Sequence, residues 1–186
     1  AGRSGIGQDD YAALLERVWS RGEEVEPAKR RLAKAAESAG AAMLSHDDMS
    51  PQMRQAYRAL GCQVAEFPMS LETAEDARSA GEEIVLGAPN VVRGGSHNNA
   101  LDAADAVEAG LCTVLASDYY YPALAQAAFR LVRERRLKLA EAWPLIARNP
   151  ARAAGLSDRG ELTVGKLMPK CRGYIRGAGS ICCGLR

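Results

Sequence analysis

Alternation limits this chain more than composition does. Short apolar runs take turns with helical segments, at a spacing of roughly twenty to thirty residues. The first run is Ala41-Ala42-Met43-Leu44-Ser45, and the second spans Cys62 to Phe67. The third runs from Glu83 to Leu86 and the fourth from Leu111 to Ala116. The segments between them carry helix signals. Ser50-Pro51 opens a helix that runs through Leu60 and stops at Gly61. Ser70 opens another to Ala80, stopped by Gly81. A third helix is predicted from about Ala100 to Ala109, and two more over Pro122–Arg135 and Leu139–Ala147. Ahead of the first strand, Tyr11, Leu14, Leu15 and Val18 form an apolar stripe at helical spacing, and a second helix is predicted from Pro27 to Ala39. Strands separated by helices are parallel and joined by right-handed crossovers. Both an open doubly wound sheet and a (βα) barrel satisfy that order.

The bulk numbers exclude several classes. A chain of 186 residues can bury a real core. Its 24 Lys and Arg balance 23 Asp and Glu, so neither nucleic acid nor an anionic membrane is expected as the main partner. No apolar run approaches the roughly 18 residues of a membrane span. Residues Ala1 to Gln8 are small and polar and do not read as a signal peptide. Of five cysteines, Cys62 and Cys112 sit in apolar runs, while Cys171, Cys182 and Cys183 crowd the end. Adjacent Cys182-Cys183 lacks the spacer of paired zinc ligands, and a disulfide framework is not expected at this size. The reading is a cytoplasmic protein.

The polar residues of interest share one location, the C-terminal ends of the expected strands. They are His46-Asp47-Asp48, Glu66, the stretch from Asn90 to Asn99, and Asp118. In parallel α/β folds that edge carries the active site. His46 reads as an ordinary polar residue or as a metal ligand, with Asp47 and Asp48 favouring the ligand. Asp118 reads as a helix cap or as a carboxylate that binds metal and takes a proton from water. In the stretch 91–99, Gly94 and Gly95 allow close backbone approach, and Arg93 offers a donor fork for phosphate oxygens. Ser96, His97, Asn98 and Asn99 add donors ahead of a helix. A plain surface loop is the alternative there.

Leu44-Ser-His-Asp-Asp48, Ala65-Glu-Phe-Pro68, Gly87-Ala-Pro-Asn90, Arg93-Gly-Gly-Ser-His97 and Ser117-Asp-Tyr119 occur in this order. Asn149-Pro-Ala-Arg and Gly165-Lys166 follow. Over residues 1 to 166 the series resembles the PhnM-type diphosphatases of the carbon–phosphorus lyase pathway, which are amidohydrolase-superfamily enzymes. The resemblance implies an α/β fold, a partial TIM-like (βα)8 barrel comprising about strands five to eight, over residues 1–156. It implies that 157–186 begins a small β-domain with an atypical, frameshift-like tail, in which Leu167 to Arg186 shows no strand alternation. It further implies a reaction in which metal-activated water attacks a ribose 5-triphosphate and pyrophosphate leaves. The cofactor would be a divalent metal, zinc or manganese, held by His46, Glu66 and Asp118, with Asp118 also the catalytic base. Asn90, Arg93, Gly94, Gly95, Ser96, His97 and Asn98 would contact the phosphorylated ribose phosphonate.

No strand-one His-x-His pair is present, so the chain reads as the C-terminal half of such an enzyme, with little activity alone and a tendency to form homo-oligomers. Two other readings stay open. One is a deaminase or cyclic amidase, which would not need the donors around Arg93. The other is a non-catalytic remnant that binds a phosphorylated ligand.

Overall fold

The computed structural model describes residues 5–94 and 101–167, and the backbone of 171–175 and 179–183. The chain divides into two compact units, Ala1–Ala41 and Ala42–Arg186.

The first unit holds two helices, α1 (Gln8–Trp19) and α2 (Val25–Ala39), linked by a short 3-10 turn at Gly22–Glu24. Asp9 and Asp10 lie in the first turn of α1, where they oppose the positive end of the helix dipole. Gly40 ends α2 in the left-handed conformation.

The second unit contains the expected alternation. It runs β1 (Met43–His46), α3 (Pro51–Ala59), β2 (Cys62–Glu66), α4 (Leu71–Ser79), β3 (Glu83–Gly87), α5 (Ala88–Arg93), α6 (Ala103–Glu108), β4 (Val114–Ala116) and α7 (Pro122–Arg133). Then come α8 (Leu139–Ala142), a 3-10 turn at Trp143–Ile146, α9 (Arg148–Ala153), and the strands β5 (Cys171–Ile175) and β6 (Gly179–Cys183). Local signals set the helix starts. The side chains of Ser50 and Ser70 accept from the backbone N–H of Met53 and Thr73, capping α3 and α4. Asp102 does the same for α6 with two acceptances, from Ala104 and Asp105.

Strands β1 to β4 form one parallel sheet in sequential order. A doubly wound sheet reverses its order at a switch point, and no reversal occurs among these four strands. Sequential order is that of an arc of a (βα)8 barrel. The two faces differ. Ile84, Leu86 and Leu115 face the main core with Ala74, Ala77, Ala106 and Ala127 of the helices. Small alanines let helix backbones come close to the sheet. On the other face, Val64, Val85 and Val114 form a small cluster joined by Ala116 and Ala153.

Three expectations need correction. Gly87-Ala-Pro-Asn90 and Val91–Arg93 do not form a loop; α5 begins directly after β3, with Pro89 in its first turn, where a missing N–H costs nothing. The single helix expected over Leu139–Ala147 is a short helix and a 3-10 turn, followed by α9. Leu167–Arg186, read as showing no strand alternation, contains an antiparallel pair in which Cys171 is opposite Cys183 and Ile175 opposite Gly179. Each strand is only five residues long, too short for an alternation to stand out. Among the described residues, no helix is long and apolar enough to cross a membrane.

Candidate active site

The register of the sheet decides which strand-end side chains are neighbours. His46 is opposite Glu66, Glu66 opposite Val85, and Val85 opposite Val114. In a parallel sheet, opposed residues share a face. His46 and Glu66 therefore lie side by side at the C-terminal edge, above the valine cluster. His46 Nε2 is 3.8 Å from Glu66 Oε2, and His46 Nδ1 is 3.1 Å from Asp47 Oδ2. The histidine is half exposed and Glu66 more buried.

The chain leaves both strands by the same step. Asp47 (φ 57°) and Phe67 (φ 53°) are left-handed, a conformation uncommon outside glycine. The N–H of Asp47 still donates to Glu66 O (2.9 Å) and that of Phe67 to Val85 O (3.0 Å), so each ladder continues one residue past its strand. The step sets the Phe67 ring 5.5 Å from the His46 ring, centre to centre.

Phe67 also walls a hollow of about 70 Å³ at the ends of β3 and β4, lined further by Gly87, Asn90, Ser117, Asp118 and Tyr119. A Cβ at Gly87 would lie 3.3 Å from Asn90 Nδ2 and 3.4 Å from the Phe67 ring, so glycine keeps this floor open. Asn90 Oδ1 accepts from Arg93 Nη2 at 2.6 Å, which turns the Asn90 amide nitrogen toward Gly87. Ser117 Oγ accepts from the N–H of Tyr120 at 3.2 Å and tightens the turn that carries Asp118. Helix α7 has no side-chain cap, so Asp118 is not spent on capping it.

Asp48 is a different case. It was expected to strengthen a metal site at His46, yet it is fully buried. Its Oδ2 accepts from Ser45 Oγ (2.5 Å) and from Arg54 Nη1 (3.0 Å). Arg54, fully buried as well, also donates to the carbonyl oxygen of Cys62. Its Nε lies 3.1 Å from Glu82 Oε2, near enough for charge attraction though not aligned as a hydrogen bond. Asp48 thus belongs to the buried support beneath the edge.

The expected site residues sort accordingly. His46 and Glu66 come together as a pair. Asn90 and Asp118 come together in the hollow, and Phe67 touches both places. His46, Glu66 and Asp118 do not close into one metal shell. Among the described residues, no three His, Cys, Asp or Glu side chains are grouped closely enough to hold an ion. Asp118 follows β4, two strands from β2 in the sheet order, and β3 between them contributes Gly87, which has no side-chain donor. Gly94 has a local reason to be glycine, because its φ is 76° and a Cβ would meet Arg130 Nη2 at 2.8 Å. Gly95, Ser96, His97 and Asn98 lie outside the described residues. Sequence reasoning passed over Phe67 and Tyr119 as site residues. Their signal was present, since each directly follows a flagged carboxylate at a strand end, Glu66 or Asp118.

No protein-family profile matches the chain. The alpha-D-ribose 1-methylphosphonate 5-triphosphate diphosphatase of Escherichia coli (strain K12) is 37% identical over 161 residues, which is 86% of this chain. By sequence, the chain is a relative of that diphosphatase. It spans 41% of the length of this curated relative. Among solved structures, an L-hydantoinase (dihydropyrimidinase) from Arthrobacter aurescens matches 75% of this chain and 43% of its own, at 16% identity and a TM-score of 0.42, too slight a match to argue from. The matched stretch of the diphosphatase relative is long enough to take in most of the four-stranded sheet and its strand ends.

Proposed function

We propose that the strand-end edge of this chain serves phosphoanhydride hydrolysis, the release of pyrophosphate from alpha-D-ribose 1-methylphosphonate 5-triphosphate in phosphonate breakdown. The observation that carries the reading is the placement of His46, Glu66, Asn90 and Asp118 along one edge of a sequential parallel sheet. The 37% identity to the diphosphatase supports it. In this reading Asp118, exposed and unused as a cap, accepts the proton of an attacking water. Arg93 supplies positive charge to phosphate oxygens, and the residues 95–98 add donors. A divalent cation, zinc or manganese, belongs to the reading, and His46 with Glu66 offers two donors. Two donors fall short of the three or more that a catalytic ion normally takes from protein, so the described residues do not by themselves make its site. The compartment proposed is the cytoplasm.

The test is pyrophosphate release by the purified chain with added zinc or manganese. Release is expected to be slow, at least about a hundredfold slower still in Asp118→Asn, and absent with cyclic amides as substrate. Release at the same rate in wild type and Asp118→Asn would remove Asp118 from the chemistry. The isolated chain, which spans 41% of its diphosphatase relative, is expected to stay far below full turnover, and hydrolysis of cyclic amides faster than of the triphosphate would sink the reading.

A further inference from the structure

The tail of the chain concentrates both thiols and positive charge. It carries Cys171, Cys182 and Cys183 of the five cysteines. From Leu162 to Arg186 the charged residues are Lys166, Lys170, Arg172, Arg176 and Arg186, with no Asp or Glu among them. Cations near a cysteine favour the thiolate, which is its reactive form. They also draw in an anionic thiol reagent.

The backbone decides which of these cysteines can meet. Strands β5 and β6 are antiparallel, with Cys171 opposite Cys183 and Arg172 opposite Cys182. Opposed residues of an antiparallel ladder have Cα atoms about 4.5 to 5.5 Å apart. A disulfide spans about 4.4 to 6.8 Å between Cα atoms, so an opposed pair fits. Chain neighbours such as Cys182 and Cys183 are about 3.8 Å apart, below that range. The register therefore favours one pair of the three. Cys62 and Cys112 are held back for another reason. Both are buried, and burial raises both thiols above their ordinary value, which keeps them protonated.

We propose that Cys171 and Cys183 are a reversible cross-strand disulfide site, closed by exchange with a small-molecule disulfide of the glutathione class. The thiolate of one cysteine attacks a sulfur of the oxidised reagent, and a first glutathione leaves as thiolate. The thiolate of the other cysteine attacks the protein sulfur of that mixed disulfide, and the second glutathione leaves. Two cysteine thiols are oxidised, one glutathione disulfide is reduced to two thiols, and the two protons given up by the cysteines end on them. This is no permanent framework: in a reducing compartment such a bond opens by the reverse exchange. A two-stranded pair has little stability of its own in water, so the bond fastens β5 to β6 while it lasts.

The experiment is thiol counting and peptide mapping by mass spectrometry on the full chain at low concentration, before and after incubation with oxidised glutathione. The reduced chain should show five thiols and the oxidised chain two fewer, with the bond mapped to Cys171 and Cys183. Cys182→Ser should leave that bond intact. Cys183→Ser should stop at the mixed disulfide with glutathione. In concentrated urea, where the register is gone, the same cysteines should pair without preference. An unchanged thiol count in native buffer overturns the site. So does a bond made by Cys182 in the wild type or in Cys183→Ser, a bond between two chains in place of one within the chain, or the same Cys171–Cys183 preference in urea as in native buffer.

Discussion

Arg54 is fully buried and charged, a combination that proteins tolerate only when the charge is answered. Here it is answered from three strands: Ser45 and Asp48 at the end of β1, a carbonyl of β2, and Glu82 just ahead of β3. Two of its neighbours, Asp48 and Glu82, are themselves buried carboxylates. Removing the cation leaves buried Asp48 with the Ser45 hydroxyl but no opposite charge, and leaves Glu82 with Arg58 alone. An Arg54→Leu variant is expected to lose roughly 3 to 5 kcal/mol of stability, the usual cost of breaking a buried pair from one side. Urea unfolding checks it, and a loss below about 1 kcal/mol, the size of a surface pair, would show that the network is not what holds the edge together. Cys112 illustrates the opposite situation, a titratable group buried without any charge to meet it. Burial pushes its thiol up to about 12, so it stays a neutral, inert packing group near neutral pH.

At the scale of elements, α3 and α4 are tied to the sheet by a second, less buried group of charges. Arg58 of α3 donates to Glu82 Oε1 at 2.6 Å and to Asp76 Oδ2 of α4 at 2.7 Å, while Gln55 donates to Asp76 Oδ1 at 2.9 Å. The hydrogen bonds to Glu82 raise the Arg58 guanidinium above its already high ordinary value, outweighing the cost of burial. The Gln55 amide, and Arg58 after it, hold the Asp76 carboxyl below the usual carboxylate range. A carboxylate depressed in the folded state contributes stability that is fully present above its unfolded value and is lost as the pH falls through the folded one. An Asp76→Asn variant should thus lose about 1 kcal/mol at neutral pH, and the difference from wild type should shrink as the pH drops below about 4. Thermal unfolding at a series of pH values reads this, and a gap that widens on acidification would reverse the assigned sign. Much at this scale was legible in advance. Ser50-Pro51 and Ser70 start helices and Gly61 and Gly81 follow them, because caps and left-handed turns are local chemistry written in adjacent residues. Helix α5 was not legible. Gly87-Ala-Pro-Asn90 reads as a turn by composition, and packing against α7 with the Arg130 bond to the Val92 carbonyl oxygen adds to Pro89 in holding those few residues as helix.

For the sheet as a whole, edges matter. Among the described strands, β1 pairs only with β2 and β4 only with β3. Part of the β4 end is answered internally, since Asn149 Nδ2 donates to the Thr113 carbonyl oxygen at 2.8 Å. The Asn149-Pro-Ala-Arg segment thereby gains a structural task that its sequence did not disclose. Among the described residues no second strand is paired with the outer side of β1, and an open edge is a template for another chain. Concentration-dependent self-association is expected in sedimentation velocity; a single monomeric boundary across a wide concentration range would contradict it. The sequence by itself determined that the strands are parallel, where β2 and β3 begin, and that His46, Glu66, Asn90 and Asp118 stand at strand ends, because alternation and capping depend on neighbours within a few residues. It did not determine which of those residues meet. Only the register between strands decided that His46 pairs with Glu66, that Asp118 joins Asn90 and Phe67 instead, and that Asp48 turns away into the core toward Arg54. Side-chain direction at a strand end depends on one backbone step, and the left-handed step at Asp47 and Phe67 is held by hydrogen bonds to the adjacent strand, which no local pattern encodes.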